Sequence, residues 1–214
     1  MNTTLNLTLD VTPFLTWLVG LLGRVQKPAK ASAPALYEVM SHDAQPFTET
    51  LVKIAQSQIG VKEEGGNNRG KQVQAYQAAT WLTGTGWAWC AAFVCWVIYQ
   101  ALQIHGAPTN WKRPRTAGAY DFENWAQGKK PHGPNGAWRC LKSTPGAPPK
   151  RGDIITFTWS HIGIVTGYDE KNKIIYTVEG NAGRGAVSDS SVGDGVVAKQ
   201  HPVTKCRRLI RYIG

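Results

Sequence analysis

TGWAWCAAFVCWVIYQA, residues 85–101, sets two cysteines five apart inside an aromatic and aliphatic run. The run follows the loop Thr83-Gly84-Thr85-Gly86. From Trp87 to Leu102 it is apolar on nearly every side, which predicts a helix buried all round rather than one lying on a surface.

Working outward, the segment before it is also helical. In the stretch from Phe47 to Gly60, the residues Phe47, Leu51, Ile54, Ala55 and Ile59 fall near one face, and Gly60 stands where a C-cap glycine belongs. The Gly/Asn-rich loop EEGGNNRG follows, then GKQVQAYQAATWL as a second helix, with Tyr76 and Trp81 read as core. Beyond the buried run, a helix over 117–127 closes at Gly128, and a long Pro/Gly/Lys loop reaches Arg151. The character then changes. DIITFTWSHIGIVTGY and KIIYTVEGN are β-branched runs joined by Asp-Glu-Lys-Asn, a hairpin by composition, and VVAKQH and CRRLIRYI read as further strands. Helices first and an antiparallel sheet second predict an α+β fold.

The chain has 214 residues, 42% hydrophobic and 18% charged, which suits one sizeable folded domain. Residues 46–214 are expected to form it. Before them, 27–45 reads as a linker around KPAKASAPA, and 1–26 as a short apolar segment. That segment holds Asp10 and Pro13 and has no basic start, and its apolar core is shorter than a bilayer span. It is expected to dock on a partner, a membrane surface or the domain itself, with a weak anchor or export signal as the alternative. The net charge of +10 favours an anionic partner such as a wall polymer or anionic lipid. Lys and Arg are scattered in ones and twos with no nucleic-acid motif, so no nucleic-acid partner is expected.

Four cysteines are too few for a disulfide scaffold and have no zinc-site spacing, so neither metal nor cofactor is expected. Cys90 and Cys95 point in different directions if they share a helix, while Cys140 and Cys206 stay open as a pair. Cys90 should fall in the first turn of the buried helix, where free backbone NH groups and the helix dipole favour a thiolate. Cys95 lies deeper, among Phe93, Val94, Trp96 and Val97, and should be inert.

A base is sought among five histidines. His42, His105, His132 and His201 lie in loop-like or Pro-flanked surroundings and are expected to be exposed. His161 interrupts an apolar strand where an imidazole has no packing reason. If Tyr168 and Ile174 flank a five-residue loop, His161 falls opposite Asn181 and Gly163 opposite Glu179, all on one face. Glu179 or Asn181 then reaches the imidazole and fixes its tautomer, a Cys-His-Glu/Asn hydrolase layout. A slip of one residue would turn His161 away from both.

WCAAFVCWV, PKRGDIITF, SHIGIVTGY and VEGN, in that order, resemble the cysteine, histidine-dependent amidohydrolase/peptidase (CHAP) family of bacterial and phage cell-wall hydrolases, from about Phe47 onward. The resemblance implies a papain-like fold, with the nucleophile helix packed on the C-terminal antiparallel sheet. It maps the nucleophile to Cys90, the base to His161, the acidic orienter to Glu179 and the accompanying Asn to Asn181. In one branch a Glu and an Asn precede the catalytic helix, matching Glu64 and Asn68. Some phage members bind calcium through acidic residues near the cysteine; Ala91 and Ala92 stand there instead, and calcium is not carried over. Trp87 and Trp89 flank the nucleophile and either line a substrate cleft or pack in the core, while Glu64 and Asn68 either contact substrate or shape a turn.

The implied activity is cleavage of an amide in peptidoglycan, as an N-acetylmuramoyl-L-alanine amidase or an endopeptidase, acting outside the cytoplasm. A phage endolysin or related lytic enzyme fits. Alternatives are an antibacterial effector with the same chemistry, which would have an inhibitor or immunity protein as partner, and a non-catalytic wall-binding or tail module.

Overall fold

The computed structural model describes residues 46–107, 113–130, 133, 136–183 and 193–214. The expected divisions at 1–26 and 27–45, together with His42 and His132, lie outside the described residues.

Helix α1, Phe47–Ser57, buries Phe47, Leu51, Val52, Ile54 and Ala55 along one stripe. The helix stops two residues earlier than its apolar spacing suggests, so Ile59 leaves the helical period and is 44% exposed instead of buried. Gly60 turns the chain with a φ of 98°, a left-handed value that glycine adopts without strain. Helix α2, Lys71–Gln77, buries Tyr76 but ends before Trp81, which is 61% exposed and not core. Helix α3, Cys90–Ile104, buries eleven of its fifteen residues, as its all-round apolar sequence requires. Each fully buried Phe, Val, Ile or Leu on it contributes roughly 1.5–3 kcal/mol. Helix α4, Asp121–Ala126, is shorter than the predicted span and ends before Gly128, whose φ is 70°.

Six strands follow: β1 Trp138–Leu141, β2 Ile154–Phe157, β3 Ile162–Asp169, β4 Ile174–Ala182, β5 Gly195–Pro202 and β6 Cys206–Tyr212. They form one antiparallel sheet in the order β1-β6-β2-β3-β4-β5. The fold is α+β. Helix α3 packs against α1 and α2 on one side and β3 and β4 on the other.

Three details depart from the sequence reading. The run from Ile154 to Tyr168 is two strands, broken by a turn over 158–161, so His161 precedes β3 and does not interrupt a strand. Strand β1 arises inside the expected long loop, because its pairing partner β6 is far away in sequence. The β3–β4 connection is one residue tighter than expected, Asp169 pairing with Ile174, but a bulge between Val165 and Gly167 absorbs the difference. Past the bulge Ile164 pairs with Val178, the register that places Gly163 opposite Glu179.

Candidate active site

Cys90 is the first residue of α3, and the first backbone bond of the helix runs from the Phe93 N–H to the Trp89 carbonyl. The amides of Cys90, Ala91 and Ala92 therefore precede the ladder and form the positive end of the helix dipole. The thiol is 4% exposed.

His161 is set by the turn before β3. Its N–H donates to the Trp159 carbonyl at 2.6 Å, and its carbonyl accepts from the Phe157 N–H at 3.1 Å. Trp159 stacks on Phe157 at 4.7 Å, and the imidazole lies against Phe157 at 5.8 Å. Nε2 of His161 donates to Glu179 Oε2 at 3.0 Å, with both side chains 1% exposed. With Nε2 committed to the carboxylate, Nδ1 is buried with no hydrogen-bond partner among the described residues, and Cys90 is close enough for its sulfur to favour the charged ring.

Burial opposes the charged imidazole, but hydrogen bonding and charge from Cys90 and Glu179 outweigh it and carry His161 up to about 9. Burial likewise opposes the Glu179 carboxylate, yet hydrogen bonds and charge from His161 and His201 hold it down to about 2. Cys90 and Glu179 thus both act on one buried imidazole.

Residues 82–181 match the family model described as CHAP domain. That segment is similar to a CHAP domain. No curated protein matches the chain. The crystal structure of a wild type endolysin, LysIME-EF1, is similar with a TM-score of 0.44 and 16% identity, over 78% of this chain and 63% of that one. The chain therefore spans less than two thirds of that endolysin's length.

Within the matched segment the two sulfurs of α3 differ. Cys95 is fully buried, bonds the Thr116 carbonyl at 3.5 Å, and is pushed up to about 12 by burial, only partly offset by Arg113. Cys140 and Cys206 are free thiols, since Cys140 lies opposite Ile210 on β6 and not beside Cys206.

The loops before α3 hold the remaining predicted residues. Asn68, at φ 57°, donates from Nδ2 to the Gly86 carbonyl at 3.4 Å, tying the EEGGNNRG loop to the loop that leads into Cys90. Glu64 is exposed in the same loop. Trp87 is half-buried, its indole N–H bonded to the Gly84 carbonyl at 3.2 Å. Trp89 is a correction: it is fully buried, stacked on Tyr76 at 5.4 Å, and belongs to the core rather than to a cleft surface. Its indole N–H donates to Glu63 at 2.8 Å, so Glu63, the neighbour of the predicted Glu64, is the acid that turns inward.

Asn181 is fully buried at φ 53°, inside a bulge where β4 shifts register against β5 between Glu179 and Ala182. Of the two candidate orienters, Glu179 is the one bonded to the imidazole.

Sequence reasoning missed two further residues. Thr177 Oγ1 donates to Glu179 Oε1 at 2.6 Å, and His201 Nε2 meets the same oxygen at 2.7 Å. His201 was expected to be exposed; it is 4% exposed, on β5 opposite Ile175. It shares a face of β5 with Lys199 and Val197, which pair with Thr177 and Glu179, but that register is set by the fold and left no signal in the sequence. A groove of about 560 Å³ lined by Trp81, Leu82, Arg113, Arg115 and Trp125 does not include Cys90, His161 or Glu179.

Proposed function

We propose that this chain is a peptidoglycan hydrolase that cleaves an amide bond by cysteine acyl transfer, with Cys90 as nucleophile, His161 as acid and base, and Glu179 as orienter. The observation that carries it is the buried 3.0 Å His161–Glu179 bond, with Cys90 at the start of α3 acting on the same imidazole. The CHAP match and the net charge of +10, suited to an anionic wall, support the same reading.

The Cys90 sulfur, its proton taken by His161, attacks the amide carbonyl carbon, while the amides opening α3 receive the developing oxyanion. His161 donates its proton to the leaving amine as the C–N bond breaks, leaving a thioester. Water then gives a proton to His161 and its oxygen to the acyl carbon, releasing a carboxylate and restoring the thiol. Glu179 keeps the imidazole oriented and stabilises its charged form throughout. Asn181, bending β4 beside Glu179, is assigned a positioning role. Glu64, Asn68 and Trp87, on loops bordering Cys90, form the substrate rim. The chain acts on the wall outside the cytoplasm, as an endolysin or a related lytic enzyme does.

Cys90→Ser and His161→Ala are expected to lower lysis of wall suspensions by at least roughly a hundredfold while both variants still unfold in a cooperative thermal transition. Lysis by Cys90→Ser at the parent rate would overturn the assignment. Mass spectrometry of fragments from purified peptidoglycan identifies the bond. A new amine on L-alanine marks an amidase, and one within the stem or cross-bridge marks an endopeptidase; an absence of fragments would reject the enzyme.

A further inference from the structure

Glu179 is shared by two imidazoles. Oε2 holds His161 at 3.0 Å, and Oε1 receives Thr177 at 2.6 Å and His201 at 2.7 Å. His201 lies on β5, beyond the residues matched by the family model. It packs against Phe157 at 4.7 Å and Trp159 at 5.6 Å, the same aromatic pair that backs His161. A phenylalanine would satisfy that packing equally well. What the imidazole adds is an N–H directed at a buried carboxylate.

We propose that His201 is a positioning residue: its bond to Oε1 fixes the rotation of the Glu179 carboxylate, so that Oε2 stays directed at His161 and keeps that ring turned toward Cys90. The proposal rests on the reading of Cys90 and His161 as the reacting pair. Thr177 alone is a short neutral donor on the same strand, two residues away, and cannot set the carboxylate plane from the far side. His201 approaches from the neighbouring strand and closes the carboxylate between β5 and the turn before β3.

The titratable groups around the carboxylate are few. The turn before β3 brings His161, β5 brings His201 with Lys199 two residues before it opposite Thr177, and Cys90 at the start of α3 acts on His161. Strand β2 and the turn after it contribute Phe157 and Trp159, which do not titrate. Removing the His201 donor leaves Oε1 with Thr177 only, and a carboxylate free to turn stabilises the His161 imidazolium less. The His161 midpoint should therefore move down from its raised position toward the ordinary value of 6.5.

The test is histidine-selective NMR titration of the full chain with ¹⁵N-labelled histidine, with the His161 signals assigned by their loss in His161→Gln. His201→Phe keeps the ring packing and removes the donor; His201→Gln returns an N–H. The His161 midpoint is expected to fall by about one unit, a tenfold weaker hold on the proton, in His201→Phe, and to return most of the way in His201→Gln. The wall-lysis rate should fall and recover in parallel. If His201→Phe does not fold, His201→Leu gives the same comparison. A midpoint unchanged in the donor-free variant would overturn the positioning role while leaving Cys90 and His161 intact. A parent midpoint near 6.5 would instead reject the coupling of His161 to Cys90 on which both readings stand.

Discussion

Gly163 has no side chain where Glu179 needs room. A Cβ there would stand 2.7 Å from Glu179 Cγ and 3.1 Å from the Val178 carbonyl. Gly163→Ala should therefore push Glu179 off His161, lowering the lysis rate by about ten- to a hundredfold. Overpacking of this kind costs about 1–3 kcal/mol, so the fold should persist. Steady-state lysis compared with a thermal melt checks it; full activity in a folded Gly163→Ala would mean that the Glu179–His161 contact is not used. This scale was the most legible in the sequence. A glycine loop followed by a buried run put Cys90 at a helix start, and the β-branched runs put Glu179 beside His161. Trp89 was ambiguous because an aromatic flanking a nucleophile has the same sequence signature in a cleft and in a core. His201 was not legible, since its strand lies beyond residues 184–192 and pairing across that interval cannot be set by counting residues.

At the scale of elements, the site depends on how closely β4 approaches α3. Gly180 makes the approach: a Cβ added there would fall 2.6 Å from Phe93 Cβ and 2.9 Å from the Trp89 ring. These are atoms anchored close to the helix backbone, so the strand or the helix must move. Phe93 lies one turn from Cys90, and Gly180 adjoins Glu179, so the movement separates the reacting groups. Gly180→Ala should lower stability by about 1–3 kcal/mol, roughly 2–4 °C in melting temperature per kcal/mol for a chain this size, and reduce activity as well. Loss of activity with an unshifted melt would contradict the packing argument. The sequence located helix α3 and the β3–β4 hairpin but misjudged the hairpin's details. The assumed five-residue loop is one residue too long, and the bulge between Val165 and Gly167 restores the register beyond it. Bulges carry no simple residue signature, so the correct facing of His161 and Glu179 came from a wrong loop length and an unseen bulge acting in opposite directions.

At the scale of the whole molecule, the buried titratable groups predict a stability profile. His161 is raised, from 6.5 to about 9, so its contribution is fully present below 6.5 and is lost as pH rises through 9. Glu179 is depressed, from 4.5 to about 2, so its contribution is present above 4.5 and is lost as pH falls through 2. The two shifts report one cluster, and their contributions do not add. Cys95 and Cys206 are both raised by burial from 9.0 to about 12, which favours the folded state less and less as pH climbs beyond 9. Melting temperature should therefore form a plateau between pH 4.5 and 6.5, decline from 6.5 to 9, and fall further above 9. Calorimetry across pH 2–10 on the parent and on His161→Ala separates the contributions. In the variant the decline between 6.5 and 9 should disappear, while the loss above 9 remains because Cys95 and Cys206 are untouched. A parent curve that stays level to pH 9 would mean that the imidazolium is not held by Cys90 and Glu179 in the folded chain.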